Sequence, residues 1–184
     1  MGVFFLGVAG FALFFLSDGN DTWWKKPAGK MLFPLAAVLL VVALVWQIHF
    51  SAPVIQWLPL RIACLMLAAV FLWLEIDALV FALPRQASYG KPGEQRAVCA
   101  AGVYALCRHP GVLFFGFLML FLWLGAGLNG WAAVIYTLLD VLLATFEDKI
   151  VFPRRIEGYC DYWSQAPFLI PTRRSFLRCI NRRE

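Results

Sequence analysis

Residues 31–50 read MLFPLAAVLLVVALVWQIHF, with no Lys, Arg, Asp or Glu anywhere in the run. A hydrocarbon core about 30 Å thick is crossed by about 20 helical residues, so this stretch reads as a membrane span. Outward from it, four more apolar stretches obey the same logic: 1–16, 58–83, 111–128 and 131–146, the first and last of them short. Composition agrees with that reading. Of 184 residues, 62% are hydrophobic and 15% charged, with mean hydropathy +0.74, whereas soluble domains hold about 45–50% and about 25%. The expected fold is all-α: a multi-pass integral membrane helical bundle of about five transmembrane helices with a folded C-terminal cap. No linker, repeat or low-complexity run divides it, so 1–184 is expected as one domain.

Charge then orients the spans, because Lys and Arg accumulate in cytoplasmic loops. Lys25, Lys26 and Lys30 lie between the first and second stretches, and Arg85, Lys91, Arg96 and Arg108 between the third and fourth. Lys149 and seven arginines come after the fifth. The alternate loops hold only Arg61 and the uncharged Leu128-Asn129-Gly130. The N-terminus is therefore expected outside and the C-terminus in the cytoplasm. No basic residue precedes Lys25, so the first stretch reads as an uncleaved helix and not a signal peptide. Trp23, Trp24, Trp46, Trp57, Trp123, Trp131 and Trp163 sit near span ends, as an aromatic belt requires. The short Asn129-Gly130 turn implies a tight helical hairpin, with Gly116, Ala126 and Gly127 as positions for close approach.

The same pattern excludes other classes. A net charge of +5 that alternates by loop is explained by topology and anionic headgroups, not by nucleic acid. Cys64, Cys99, Cys107, Cys160 and Cys179 have neither CxxC nor Cys/His ligand spacing, which points to no metal site and no disulfide framework. Lipidation signals are missing too: position 6 is Leu6 and Cys179 stands outside a prenylation box.

Ionisable side chains inside spans are costly and mark function. Glu75, Asp77 and Asp140 qualify, and at about 1.5 Å per residue Asp77 and Asp140 each lie about 9 Å from the inner end of their span. They are candidate catalytic groups facing one cytoplasmic-side cavity; the alternative is that they pair with Arg or His of the adjoining loops and hold helices together. His49 falls near the outer surface and reads as interfacial.

Two inner segments carry further chemistry. Before the fourth stretch the chain reads Gly102-Val103-Tyr104, then Arg108-His109-Pro110-Gly111. Arg108 is a permanent cation and a further candidate catalytic group, His109 is a donor or acceptor, and Pro110 suits a helix entry; together they suit an anionic group. After the fifth stretch come Glu147-Asp148, whose carboxylates can accept from ribose hydroxyls or an ammonium, then Tyr159, Tyr162 and Pro171. For the acidic pair the alternative is a solvated helix end. The aromatic and apolar content of the C-terminal segment is unlike a disordered tail.

In the order Gly-x-Tyr, Arg-His-Pro, helical hairpin, acidic pair, Tyr-x-x-Tyr and Pro, residues 100 to 171 resemble the isoprenylcysteine carboxyl methyltransferase family. The membrane phospholipid N-methyltransferases and thiol S-methyltransferases are its relatives. The resemblance implies an S-adenosylmethionine-dependent methyltransferase. In this reading Gly102, Tyr104, Arg108, His109, Pro110, Glu147, Asp148 and Tyr159 contribute to the cofactor pocket, with Arg108 anchoring the cofactor carboxylate or shaping the loop. It further implies a lipophilic or lipid acceptor entering from the bilayer. Residues 1–83 would then serve the acceptor and 84–184 the cofactor. The chain departs from the family at Val112, where a Tyr is usual, at Arg155-Ile156, where Phe-Gly is usual, and at Leu143, where the prenylcysteine enzymes place an Arg. Carboxylate, amine and thiol acceptors all stay open. The competing readings are a sterol-reductase-like enzyme using NADPH and a non-catalytic scaffold or transporter; the lack of an inverted repeat speaks against transport.

Overall fold

The computed structural model describes residues 2–81, 96–97 and 102–181, with side chains described at 2–79 and 102–177. Residues 82–83 of the third apolar stretch, the side chain of Arg96, and the basic residues Arg85, Lys91, Arg182 and Arg183 lie outside that description.

The first helix, α1 (Gly2–Gly19), runs on through a π-helical turn, Asn20–Trp24. The apolar run ends at Leu16, but the helix does not, so Asp18 and Asp21 belong to it and not to a loop. It stops where Lys25 adopts a left-handed backbone (φ 51°) and returns its N–H to the Asn20 carbonyl at 2.6 Å. The Asn20 side chain then clamps the turn, accepting from Lys26 N–H and donating to Lys26 O, both at 3.1 Å. Gly29 has to be glycine, because a Cβ there would run into the Asn20 amide.

A 3-10 turn, Pro27–Met31, opens α2 (Leu32–His49), and α3 (Leu58–Ile76) continues through the π turn Asp77–Phe81. Proline sits in the first turn of α3 and again of α4 (Pro110–Phe121), where its missing N–H has no helical partner to lose. The π turn Leu122–Ala126 ends α4 at Gly127, in left-handed conformation with φ 90°. Asn129 caps α5 (Gly130–Phe146), its Oδ1 accepting from Trp131 N at 3.0 Å and Ala132 N at 3.2 Å. This helix too runs on, through Glu147–Val151 into α6 (Phe152–Arg155). Then come α7 (Tyr159–Gln165) and α8 (Arg173–Asn181). Among the described residues there is also one two-residue parallel pairing, β1 (Arg96–Ala97) on β2 (Ile156–Glu157).

Small residues set the packing order α2, α1, α5, α4, α3. A Cβ on Gly10 would stand 3.0 Å from the Ala36 carbonyl of α2. Gly7 lies under the Tyr136 ring of α5, Gly116 faces Thr137 across the hairpin, and Gly125 lies against Cys64 of α3. Gly127, expected to serve the hairpin, abuts Ala52 and Pro53 of the α2–α3 loop instead. Phe11, Leu118, Met119, Leu128 and Tyr136 fill the centre. By contrast Val38, Val41 and Val45 of α2 and Met66, Val70 and Trp73 of α3 face outward, an apolar exposure that suits lipid and not water.

Four segments, Gly2–Trp24, Pro27–His49, Leu58–Leu79 and Gly130–Arg155, are long and apolar enough to cross a membrane. Pro110–Ala126 is a shorter apolar helix. Trp23, Trp24, Trp57 and Trp131 lie exposed at the ends of the segments that carry them.

Candidate functional site

The residues of interest gather where α4 begins and α5 passes into its π turn. His109 precedes Pro110 with φ −124° and ψ 66°, outside the helical region that a following proline disfavours. The stretch is held from outside: Arg108 N–H donates to Pro167 O at 2.9 Å and His109 N–H to Phe168 O at 3.2 Å. Thus the chain after α7 lies alongside the Arg-His pair.

Asp148 is the hub. Arg108 grips its carboxylate as a fork, Nε to Oδ1 at 2.8 Å and Nη2 to Oδ2 at 3.0 Å. The Tyr159 hydroxyl donates to Oδ1 at 2.7 Å, and His109 Nε2 lies 3.3 Å from the same oxygen. Arg108 spends Nη1 on the carbonyls of Ala166 at 2.7 Å and Trp163 at 3.2 Å. A guanidinium has five N–H donors, and four hydrogen bonds within the protein occupy most of them. Of the two roles the sequence leaves open for Arg108, the contacts favour shaping the loop over gripping an external carboxylate.

Stacking completes this layer. The His109 ring lies parallel to Phe152, centroids 5.6 Å apart, and edge-on to Phe168 at 5.2 Å. Tyr159, Tyr162 and Ala166 form a small core of their own with Phe152 and Ile156 against it. The Tyr162 hydroxyl donates to Tyr104 O at 2.5 Å, and Tyr104 donates to Ala78 O at 3.0 Å, which ties α7, the 102–105 turn and the end of α3 together. Burial and the adjoining Asp148 carboxylate push the Tyr159 phenol far above its ordinary range, while burial pushes the Cys107 thiol up to about 11. Neither group is suited to ionise at neutral pH.

The second acid of the pair has a different environment. Glu147 Oε2 is 3.8 Å from His109 Nδ1 and its side chain is a quarter exposed, against 5% for Asp148. It lies beside Asp18 and in electrostatic reach of Asp140 and Arg155. Asp140 in turn acts on Glu75, whose carboxyl rests against Gly111, and whose Oε2 is buried with no hydrogen-bond partner among the described residues. Arg155 is anchored to Asp21 at 3.1 Å. Asp18, Glu75, Asp140 and Glu147 are therefore linked in a chain that reaches His109 through Glu147, with Arg155 acting on Asp18 and Glu147.

Glu75 and Asp140 are thus neighbours, and loop Arg or His does not pair with them among the described residues. Asp77 stays apart; it makes no hydrogen bond or ion pair among those residues. Gly102, at φ 59°, takes a left-handed backbone with open space where a Cβ would stand. Asp18 is an addition to the residues singled out from sequence. The signal for it is an acid two residues beyond an apolar run, readable as intramembrane only if the helix is known to continue.

No family model, curated protein or solved structure matches this chain. What the site does is therefore argued from its own geometry and from the motif resemblance. One other concave feature, an apolar groove along α2 lined by Val41, Val42, Val45, Trp46, His49 and Phe50, lies toward the opposite end of the bundle.

Proposed function

We propose that the chain is a five-span membrane enzyme that transfers a methyl group from S-adenosylmethionine to a lipophilic or lipid acceptor. The observation that carries this reading is the assembly of one compact site from Arg108-His109, Glu147-Asp148 and Tyr159. These are the positions, far apart in sequence, at which the motif resemblance puts a cofactor pocket.

The acid-rich neighbourhood fits a cationic guest. S-adenosylmethionine carries a sulfonium and an ammonium, and Asp18, Glu75, Asp140 and Glu147 gather carboxyl oxygens that a bound cation would draw toward the ionised form. Bound there, the sulfonium would supply the reactive methyl, and the protein would supply alignment and exclusion of water. In this reading Glu147 and His109 face the cofactor. Asp148, Arg108 and Tyr159 hold the loop that presents them, Gly102 and Tyr104 line its edge, and Pro110 fixes the helix entry. Glu75 and Asp140 are placed to meet an acceptor or its proton.

Topology belongs to this proposal. The α2–α3 loop touches the far end of α4, Ile55 N–H donating to Leu124 O at 3.0 Å, while Glu75 of α3 meets Gly111 in the first turn of α4. The short α4 thus reaches the same two levels as α3 and counts as a fifth crossing. With odd crossings and the basic residues at one end, the N-terminus lies outside, and α6 to α8 form a cytoplasmic cap.

Calorimetric titration of the purified protein with S-adenosylhomocysteine tests the cofactor. Binding is expected, weakened about 10-fold or more by Glu147→Ala or His109→Ala, the size of a lost charge-assisted hydrogen bond. Absence of binding by monodisperse, folded protein would sink the proposal.

A further inference from the structure

Helix α8 is unlike the five long helices. Thr172 and Ser175 cap it reciprocally, Thr172 N–H donating to Ser175 Oγ at 2.8 Å and Ser175 N–H to Thr172 Oγ1 at 3.2 Å. Ser175 is fully buried, and the helix packs on the 102–105 turn. The helix is therefore held by the protein from one side. On its other side Phe176 and Leu177 are more than half exposed, and Arg173 and Arg174 are exposed beside them. The sequence from 172 to 184 carries Arg173, Arg174, Arg178, Arg182 and Arg183 against the single acid Glu184.

Adjacent bulky apolar side chains left bare, flanked by arginines, are costly in water and fit the boundary between headgroups and acyl chains. Charge says which headgroups. Five arginines against one acid favour an anionic surface. Position agrees: the 102–105 turn leads to Arg108 and Asp148 at the end of α5, where Arg155 binds Asp21 of α1. Next to Asp21 stand exposed Trp23, Trp24, Lys25 and Lys26, the aromatic and basic composition of a membrane interface.

We propose that α8 is an interfacial helix that docks on the anionic headgroup layer of the membrane in which the chain resides, Phe176 and Leu177 entering the acyl boundary and the arginines pairing with lipid phosphates. This docking is independent of whatever chemistry the Asp148 site performs. Since α8 rests on the 102–105 turn, lipid charge would also brace that turn from outside.

The test is amide hydrogen exchange of the full-length protein in nanodiscs of phosphatidylcholine alone or with about 30% phosphatidylglycerol. Residues 173–181 are expected to exchange about five-fold more slowly or better in the anionic discs, the local opening being suppressed by docking. The difference should vanish in about 1 M salt, where screening acts within about 3 Å, and in Arg173→Gln/Arg178→Gln protein whose α1 to α5 exchange unchanged. Leu177→Ser should reduce protection in both discs. Equal exchange in the two discs overturns the proposal, as does anionic-disc protection that survives both salt and the double substitution. Protection that tracks two copies per disc instead of lipid charge overturns it in favour of self-association.

Discussion

A carboxylate that accepts from both arms of a guanidinium and from a phenol, with a histidine Nε2 3.3 Å away, is committed to its own loop, and Asp148 is in that position. Removing its charge strands Arg108, whose side chain is only 11% exposed. Asp148→Asn is therefore expected to cost about 3–5 kcal/mol, the usual penalty for breaking a buried pair, read as unfolding in mixed micelles. Tyr159→Phe removes one hydrogen bond to a charged acceptor and should cost about 1.5–3 kcal/mol. Its pH dependence has a definite sign. The folded-state phenol is held above its unfolded value, so the stability it contributes is complete below about pH 10, the unfolded value, and falls as pH rises beyond that. Tyr159→Phe protein should lack this alkaline loss, and equal alkaline destabilisation of both proteins would remove Tyr159 as its source. Glu147 differs in kind: it keeps a quarter of its side chain open. Nothing in the adjacent pair Glu147-Asp148 distinguishes the two acids in sequence, because the distinction is made by Arg108 and Tyr159, forty residues before Asp148 and eleven after it. The Arg-His-Pro motif was legible in the same partial way: it marked the place, while the partners of Arg108 were fixed only by the fold.

Among the helices, α1, α2 and α5 meet at one side chain. Tyr136 is fully buried, donates to Phe4 O at 2.8 Å and accepts from Gln47 Nε2 at 3.2 Å. Its ring also stacks on Phe4 and fills the space above Gly7. A methyl group at Gly7 would occupy the ring's own position, so Gly7→Ala must push Tyr136 off both partners. Overpacking of this sort costs about 1–3 kcal/mol. Gly2→Ala, with nothing within 4 Å, is the matched control, and thermal unfolding that ranks the two substitutions alike would contradict the packing. Hydropathy located α1, α2, α3 and the hairpin to within a few residues, because a charge-free run long enough to cross lipid has few alternatives. It failed at the ends of α1 and α5. Asp18, Asn20 and Asp21 interrupt the apolar pattern, and the partners that meet the two acids are non-local: Arg155 from α6 on Asp21, and Glu147, just past α5, beside Asp18. A reading by local polarity has no access to partners so far along the chain.

At the scale of the whole molecule, the number of crossings turns on α4. Seventeen residues, Pro110–Ala126, extend about 25 Å as a helix, short of a hydrocarbon core of about 30 Å. Yet Glu75 near one end of α3 meets Gly111, and Ile55, just before the other end, donates to Leu124, so in the proposed topology a bilayer that contains α3 contains α4, with local thinning at modest cost. Accessible cysteines can count the crossings. Cys160 is exposed on α7, whereas Cys64 and Cys107 are buried, and the Cys107 thiol, pushed up to about 11, is a poor nucleophile at neutral pH. Gln56 is exposed in the α2–α3 loop, and α3, α4 and α5 separate it from Cys160. In protein with Cys99 and Cys179 changed to Ser, a membrane-impermeant maleimide should therefore label Cys160 only from the cytoplasmic face. Gln56→Cys, made with Cys160→Ser as well, should label only from the opposite face. Three crossings put the two positions on opposite sides, and two put them on the same side. Labelling of both from one face would mean that α4 does not traverse the membrane. The Asp148 site would then sit at the end of a four-span bundle, and the five-span topology would fall while the hydrogen-bonded cluster around Asp148 stood unchanged.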